Sequence, residues 1–312
     1  MIMKSVKQDL QYTLLSNRLI YLVLIVSAII SFMLYFNFQA AQNANGNVNR
    51  EVGFLERDGF DVLEELEKEY TYQVRPDGGL SIENFLSYSV ARAEEAIFAV
   101  SPSYAPFALM EMSLGIFPIL FIISSFLLIN ADNKSKMVKI KSVRQSRLNT
   151  AISQLITNGI INAIIITAYF VIGFIVSLVF HFMLQGELEF AFYDFSRLEI
   201  TASPIMGILF VLFISLFFSA IGMLLTTIFR NIYAPLAFIA LFLLAPTLTP
   251  YDPRNLMGVL NASIFDHLSF VFPIYQEQSL GNGVIVLIFA LATVAMFVAN
   301  IYIASKKSAY LI

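Results

Sequence analysis

The chain has 312 residues, 58% of them hydrophobic and 13% charged, and its mean hydropathy is +0.76, which excludes a water-soluble domain of ordinary composition. The net charge of −3 averages over loops of opposite sign, so its distribution is the informative quantity. The absence of cysteine excludes disulfides, thiolate metal sites and a cysteine nucleophile.

In chain order, the first element is amphipathic. Met3, Val6, Leu10, Thr13 and Leu14 share one helical face, with Lys4, Lys7, Gln8 and Gln11 on the other, which predicts a helix over 1–18 lying in the cytoplasmic interface. A frayed basic tail is the alternative. Six apolar runs follow, at Leu19 to Phe38, Phe107 to Ile129, Gly159 to Leu184, Pro204 to Phe229, Ile232 to Pro246 and Val284 to Ala304. A bilayer core of roughly 30 Å needs about 20 helical residues, so the chain reads as six spans over 19–38 and 107–312, the fifth a short one. The first run resembles a signal peptide in its basic lead, but at about 20 residues it exceeds a cleavable h-region and reads as an anchor.

The loops alternate in sign. Lys4, Lys7 and Arg18 stand against Asp9 before the first span, while Gln39 to Tyr104 carries 5 basic and 12 acidic residues. Between Asn130 and Ala151, Lys134, Lys136, Lys139, Lys141, Arg144 and Arg147 face Asp132 alone. The next loop holds Glu187, Glu189, Asp194 and Glu199 against Arg197, and the tail ends in Lys306 and Lys307. Short basic loops stay in the cytoplasm, so both termini are expected inside a bacterial-type cell membrane. Tyr21, Tyr35, Tyr104, Tyr233 and Tyr302 near the span ends are expected to anchor the interfaces in a chain without tryptophan.

Segment 39–106 reads as a small extracytoplasmic helical cap. Val62, Leu63, Leu66 and Tyr70 have helical spacing, Ser81 is a candidate cap for a helix running through Val100 with Glu83 in its first turn, and Asn43 to Asn49 and Pro76 to Gly79 read as turns. A solvated acidic spacer and a substrate-gating cap are both open readings.

Two spans carry polar or small stripes. Ser215, Ser219, Gly222 and Thr226 recur at steps of 4, 3 and 4, and Asn158, Asn162, Tyr169, Gly173 and Ser177 share a face of the third span. Helix packing and a substrate path are both compatible with them. Glu111, the acidic residue inside a predicted span, is a candidate functional site because burying a carboxylate is expensive, unless the helix enters the membrane beyond it and leaves it in water. His181 reads as an interfacial residue. HExxH, GxSxG, CxxC and the phosphate cradle GxxxxGK[ST] are all missing, so hydrolysis and nucleotide cleavage lack their usual residues. The chain reads as a non-enzymatic transport subunit; no cofactor and no nucleic-acid partner are expected.

The layout of in-plane helix, span, large outer loop, span, basic inner loop, two spans joined by the tight turn Ile228 to Asn231, short fifth span, broken outer segment and last span resembles a type-2 ABC-transporter permease. The basic run Lys134 to Arg147 matches the family's coupling loop, and Leu268 to Tyr275, following Pro246, Pro250 and Pro253, is similar to its re-entrant outer element. The resemblance implies an export permease that pairs with a second permease half, identical or related, and with ATPase subunits that hydrolyse the ATP. It assigns docking on the ATPase to Met137, Lys139, Ile140, Lys141, Val143, Arg144 and Arg147. Independently, Met137, Ile140 and Val143 form an apolar stripe amid cations that suits a groove on a soluble partner, or the loop rests on anionic membrane lipid. Glu111, Asn158, Asn162, Tyr169, Ser215, Ser219 and Gly222 are the candidate transport path or helix interface. An ion-driven secondary transporter and a membrane sensor or scaffold are the competing classes. The phenylalanine-rich spans, without midplane charge, favour an apolar or amphipathic cargo such as a peptide, antibiotic or lipid.

Overall fold

The computed structural model describes residues 2–15, 18–74, 80–134, 146–186, 188, 192–195, 198, 200, 202–244, 249–265 and 279–306. Among them the order is α1 (Ile2–Leu15), α2 (Arg18–Arg57), α3 (Val62–Glu67), β1 (Thr71–Val74), β2 (Leu80–Glu83), α4 (Phe85–Val100) and α5 (Ala105–Lys134). There follow α6 (Arg147–Gln185), α7 (Pro204–Phe229), α8 (Tyr233–Leu244), α9 (Pro253–Phe265) and α10 (Asn282–Lys306). Helices α2, α5, α6, α7 and α10 are long and apolar enough to cross a bilayer. The chain is therefore a mainly helical, multi-pass membrane protein. The run expected to form the fifth span gives only α8, whose 12 residues extend about 18 Å, short of a hydrocarbon core.

The residues group into two compact units, one of 1–28, 109–170 and 202–312, the other of 29–108 and 171–201. In the first, α5 is the helix that the others enclose. Its Leu109 carbonyl accepts from the Tyr169 hydroxyl at 2.7 Å, and its Ser125 bonds Asn158, so α5 and α6 run antiparallel. Gly207 abuts Met110, and Gly222 abuts Ile122, so α5 and α7 run parallel. Phe213 and Phe217 meet Phe289, and Thr227 donates to Asn300 at 2.6 Å, so α7 and α10 also run parallel. The outward faces are apolar: Ile205, Ile208, Leu212 and Leu216 of α7, and Leu291 and Val298 of α10, are all exposed. Such a surface is unfavourable in water and ordinary against lipid tails.

Helix α1 forms as expected, with Lys4, Lys7, Gln8 and Gln11 exposed and Val6 buried, but its buried edge is shifted toward Ser5 and Asp9. Ser5, Val6 and Asp9 are buried and Ser153 Oγ donates to Asp9 Oδ2 at 3.4 Å, whereas Met3 is 72% exposed. The chain's own α6, rather than lipid alone, thus selects the buried edge. Tyr21, Tyr35, Tyr233 and Tyr302 are exposed, the last with Lys306 Nζ 4.6 Å from its ring centroid. Tyr104 is 2% exposed and so is a core residue rather than an anchor.

The second unit has an apolar core of its own. Phe38, Ala41, Asn45, Val48 and Val52 of α2 are buried at steps of 3, 4, 3 and 4, and so are Leu86, Val90, Ala93, Ile97 and Val100 of α4 at steps of 4, 3, 4 and 3. These are the seams by which two helices pack side by side. Asn43 to Asn49 is accordingly continuous helix, not a turn; packing outweighs the weak propensity of asparagine and of Gly46. Asn45 is retained in the seam because its Oδ1 accepts from the Tyr193 hydroxyl at 2.6 Å. Helix α2 ends at Gly59, with φ at 79° and the Phe60 N–H bonded to the Leu55 carbonyl.

Asp61 caps α3, accepting from the Leu63 and Glu64 N–H groups, but the helix stops at Glu67 and Thr71 begins a strand. Ser81 lies in β2, paired with Gln73, and Glu83 bonds Thr71 across the hairpin; neither belongs to a helix. The cap of α4 is Asn84, at φ 55°, whose Oδ1 accepts from the Ser87 N–H. Its Nδ2 reaches the Glu65 and Lys68 carbonyls, both at 2.7 Å, tying α4 to the open end of α3. The turn expected at Pro76 to Gly79 lies outside the described residues.

Candidate functional site

Polar side chains are concentrated in the interior of the first unit, the reverse of a soluble fold. The best-connected group is Asn158, Ser125 and Ser219, from α6, α5 and α7. All three are at most 4% exposed. Asn158 Nδ2 donates to Ser219 Oγ and, at 3.2 Å, to Ser125 Oγ. The single Ser125 hydroxyl proton has the Asn158 amide oxygen and the Ser219 carbonyl within 3.3 Å. One carboxamide thus fastens three helices; without it Ser125 still has the Ser219 carbonyl and hydroxyl at 3.3 Å, and it is α6 that loses its hydrogen bonds to α5 and α7.

Gly222, one turn along α7, makes the approach possible. A β-carbon there would lie 2.7 Å from Ile122 Cα and 2.9 Å from its carbonyl oxygen, both backbone atoms. Ser215 and Thr226 point elsewhere: their hydroxyls donate back along α7, to the Leu212 and Gly222 carbonyls, each at 2.7 Å. Of this sequence stripe, Ser219 and Gly222 touch α5 while Ser215 and Thr226 satisfy themselves.

On α6, Tyr169 is fully buried and bonds α5, and Gly173 and Ser177 are buried as well. Ser177 belongs to the second unit, where it donates to the Val100 carbonyl at 3.1 Å. Asn162, one turn from Asn158, is 3% exposed, and neither atom of its amide has a hydrogen-bond partner among the described residues. Ser113 and Thr157 hydroxyls are buried in the same condition.

Glu111 is 2% exposed, so it lies inside the protein rather than in interfacial water. Its backbone carbonyl accepts from Asn261 Nδ2 at 3.1 Å, which brings α9 against the start of α5. The opposite end of α7 is tied by Thr227 to Asn300, and α1 is tied by Asp9 to Ser153. His181 bonds Gln185 at 2.9 Å. Outside the spans, Asp252 grips Arg254 at 2.6 Å and holds its guanidinium above its ordinary basicity through that hydrogen bond.

Asn261, Asn300 and Ser125 escape a reading of the sequence. Ser125 and Asn300 are polar residues within apolar runs and Asn261 lies between runs, but whether each turns to a neighbour or to its own helix is not a local property. Met137, Lys139, Ile140, Lys141, Val143 and Arg144 lie outside the described residues, as do Leu268 to Tyr275 and His267; Arg147 opens α6. Among the described residues no three His, Asp or Glu side chains converge as a metal site requires. Chemically the buried ladder is a set of hydrogen-bond donors and acceptors with one carboxylate near its end. It can hold helices in register or receive a polar group. No protein-family model, curated protein or solved structure matches the chain.

Proposed function

We propose that this chain is the membrane-spanning subunit of an ATP-driven exporter, resembling a type-2 ABC permease, with ATP hydrolysed by a separate subunit and a second permease half completing the pathway. The observation that carries the reading is the interrupted return between α7 and α10. Those helices run parallel, so in this reading the intervening chain comes back across the bilayer; between them lie the short α8, beginning beyond Phe229, and α9, whose Asn261 and Phe265 lie beside Glu111 and Phe210 at the starting end of α7. On the same reading the chain crosses six times, with a broken fifth crossing and α9 lying on the outer side. An even number agrees with basic segments at both chain ends and between α5 and α6. With termini inside, the acidic segment 39–106 is extracytoplasmic.

In this reading the basic run Lys134 to Arg147 meets the ATPase, and the Asn158, Ser125 and Ser219 cluster lets α5, α6 and α7 move as one body. The apolar walls and the acidic outer loop suit an amphipathic cargo of positive charge. A phosphatase reporter fused after Gly79 should be active outside, and fusions after Lys139 and Lys307 inactive; an inactive Gly79 fusion overturns the orientation. The function itself is tested by purifying the tagged chain from its native membranes. A comparable amount of a subunit carrying GxxxxGK[ST] is expected to accompany it, and a preparation without any such subunit overturns the exporter reading.

A further inference from the structure

The second unit exposes large apolar side chains on an element that lies outside the apolar runs. Phe60 is 56% and Leu63 62% exposed. On α3, Val62 and Leu66 turn into the core, whereas Leu63, Glu64 and Glu67 share the opposite face, with Phe60 just before the cap. Asn84 holds this helix to the start of α4, where Phe85 is 49% exposed and packs near Tyr88, itself against Tyr70. The surface is therefore aromatic and aliphatic within a field of carboxylates. Lys68 beside it is paired, with its Nζ 2.6 Å from Glu65 and 3.8 Å from Glu64.

We propose that this acidic, apolar face of α3, with Phe60, Leu63, Glu64 and Glu67 at its centre, binds a cationic amphipathic peptide, the cargo class of the export reading on which this inference rests. Charge complementarity selects the occupant. A second copy would set like charges against each other, anionic lipid would be repelled, and a purely polar cation would leave Phe60 and Leu63 in water. An amphipathic cationic helix covers the apolar pair and meets the carboxylates together.

The test uses the full chain in phosphatidylcholine nanodiscs and a fluorescent 18-residue Lys/Leu amphipathic peptide, with a Glu/Leu counterpart, oligolysine and empty discs as controls. Two variants, Phe60→Ser with Leu63→Ser and Glu64→Gln with Glu67→Gln, alter exposed side chains only. The expected result is binding of the Lys/Leu peptide that each variant weakens about tenfold or more, that salt weakens, and that neither control peptide reproduces. Equal binding by both variants, by empty discs or by oligolysine overturns the proposal. The same preparation is scored for the accompanying ATPase: peptide binding without ATPase defeats the exporter reading and leaves this site standing, and ATPase without peptide binding defeats this site alone.

Discussion

Replacing Gly222 with valine should leave little correctly folded protein, and even Gly222→Ala should lower the unfolding midpoint in detergent. The nearest obstacles to a β-carbon are backbone atoms of Ile122 at 2.7 and 2.9 Å, with Ser125 Cβ at 3.0 Å. A side chain there cannot be accommodated by a rotamer change; α5 and α7 must separate. Overpacking of this kind costs roughly 1–3 kcal/mol for a methyl group, and more for a branched chain. The separation would also pull Ser219 from Asn158 and Ser125, adding the cost of buried polar atoms. Gly159→Ala is the matched control, because nothing lies within 4 Å of its added carbon and alanine favours helix by about 1 kcal/mol. Loss of stability in the Gly159 variant equal to that in Gly222→Ala would overturn the close-approach explanation.

On the proposed exporter reading, reversing Lys139, Lys141 and Arg144 to glutamate should abolish the stimulated ATP hydrolysis of the separate subunit while the protein remains in the membrane. The expected fall is about tenfold or more, since charge pairs at an interface contribute to both association rate and register. The expected result requires that the Lys307 fusion stay inside in the variant, because removing positive charge from an inner loop can also invert a span. Unchanged hydrolysis with intact topology would return the loop to contact with anionic lipid heads.

How much of the molecule was legible varies with the range of the physics involved. The five apolar runs that became parts of α2, α5, α6, α7 and α10 were readable because hydropathy is local and lipid imposes it along the whole length of a crossing. The fifth run was readable only as apolar; its 12 helical residues depend on where the chain turns between α7 and α10. Asn43 to Asn49 is rich in turn-forming residues, whose single-residue preferences do not reveal the helix they form in α2. The seam Phe38, Ala41, Asn45, Val48 and Val52 was present in the same stretch, but it becomes decisive only once α4 supplies the matching seam. Ser81 and Asn84 were both acceptable caps by residue type, and the pairing of β2 with β1 left the role to Asn84.

In the buried cluster, Asn158 and Ser219 stand out in the sequence as members of polar stripes. Their partner Ser125 does not, since its neighbour Ser124 simply bonds back to the Phe121 carbonyl at 3.2 Å. By itself, then, the sequence determined which five segments are apolar and long enough to cross a membrane, the alternating charge of the loops and the amphipathic character of the first helix, because composition and periodicity are properties of short stretches. Only the tertiary structure decided that α5 is enclosed, that Glu111 is buried, that Asp9 rather than Met3 faces the protein, and that Asn158 joins three helices. Those outcomes depend on which distant residues meet, and in a bundle of similarly apolar helices it is close contact and hydrogen bonding, not hydropathy, that distinguishes one pairing from another.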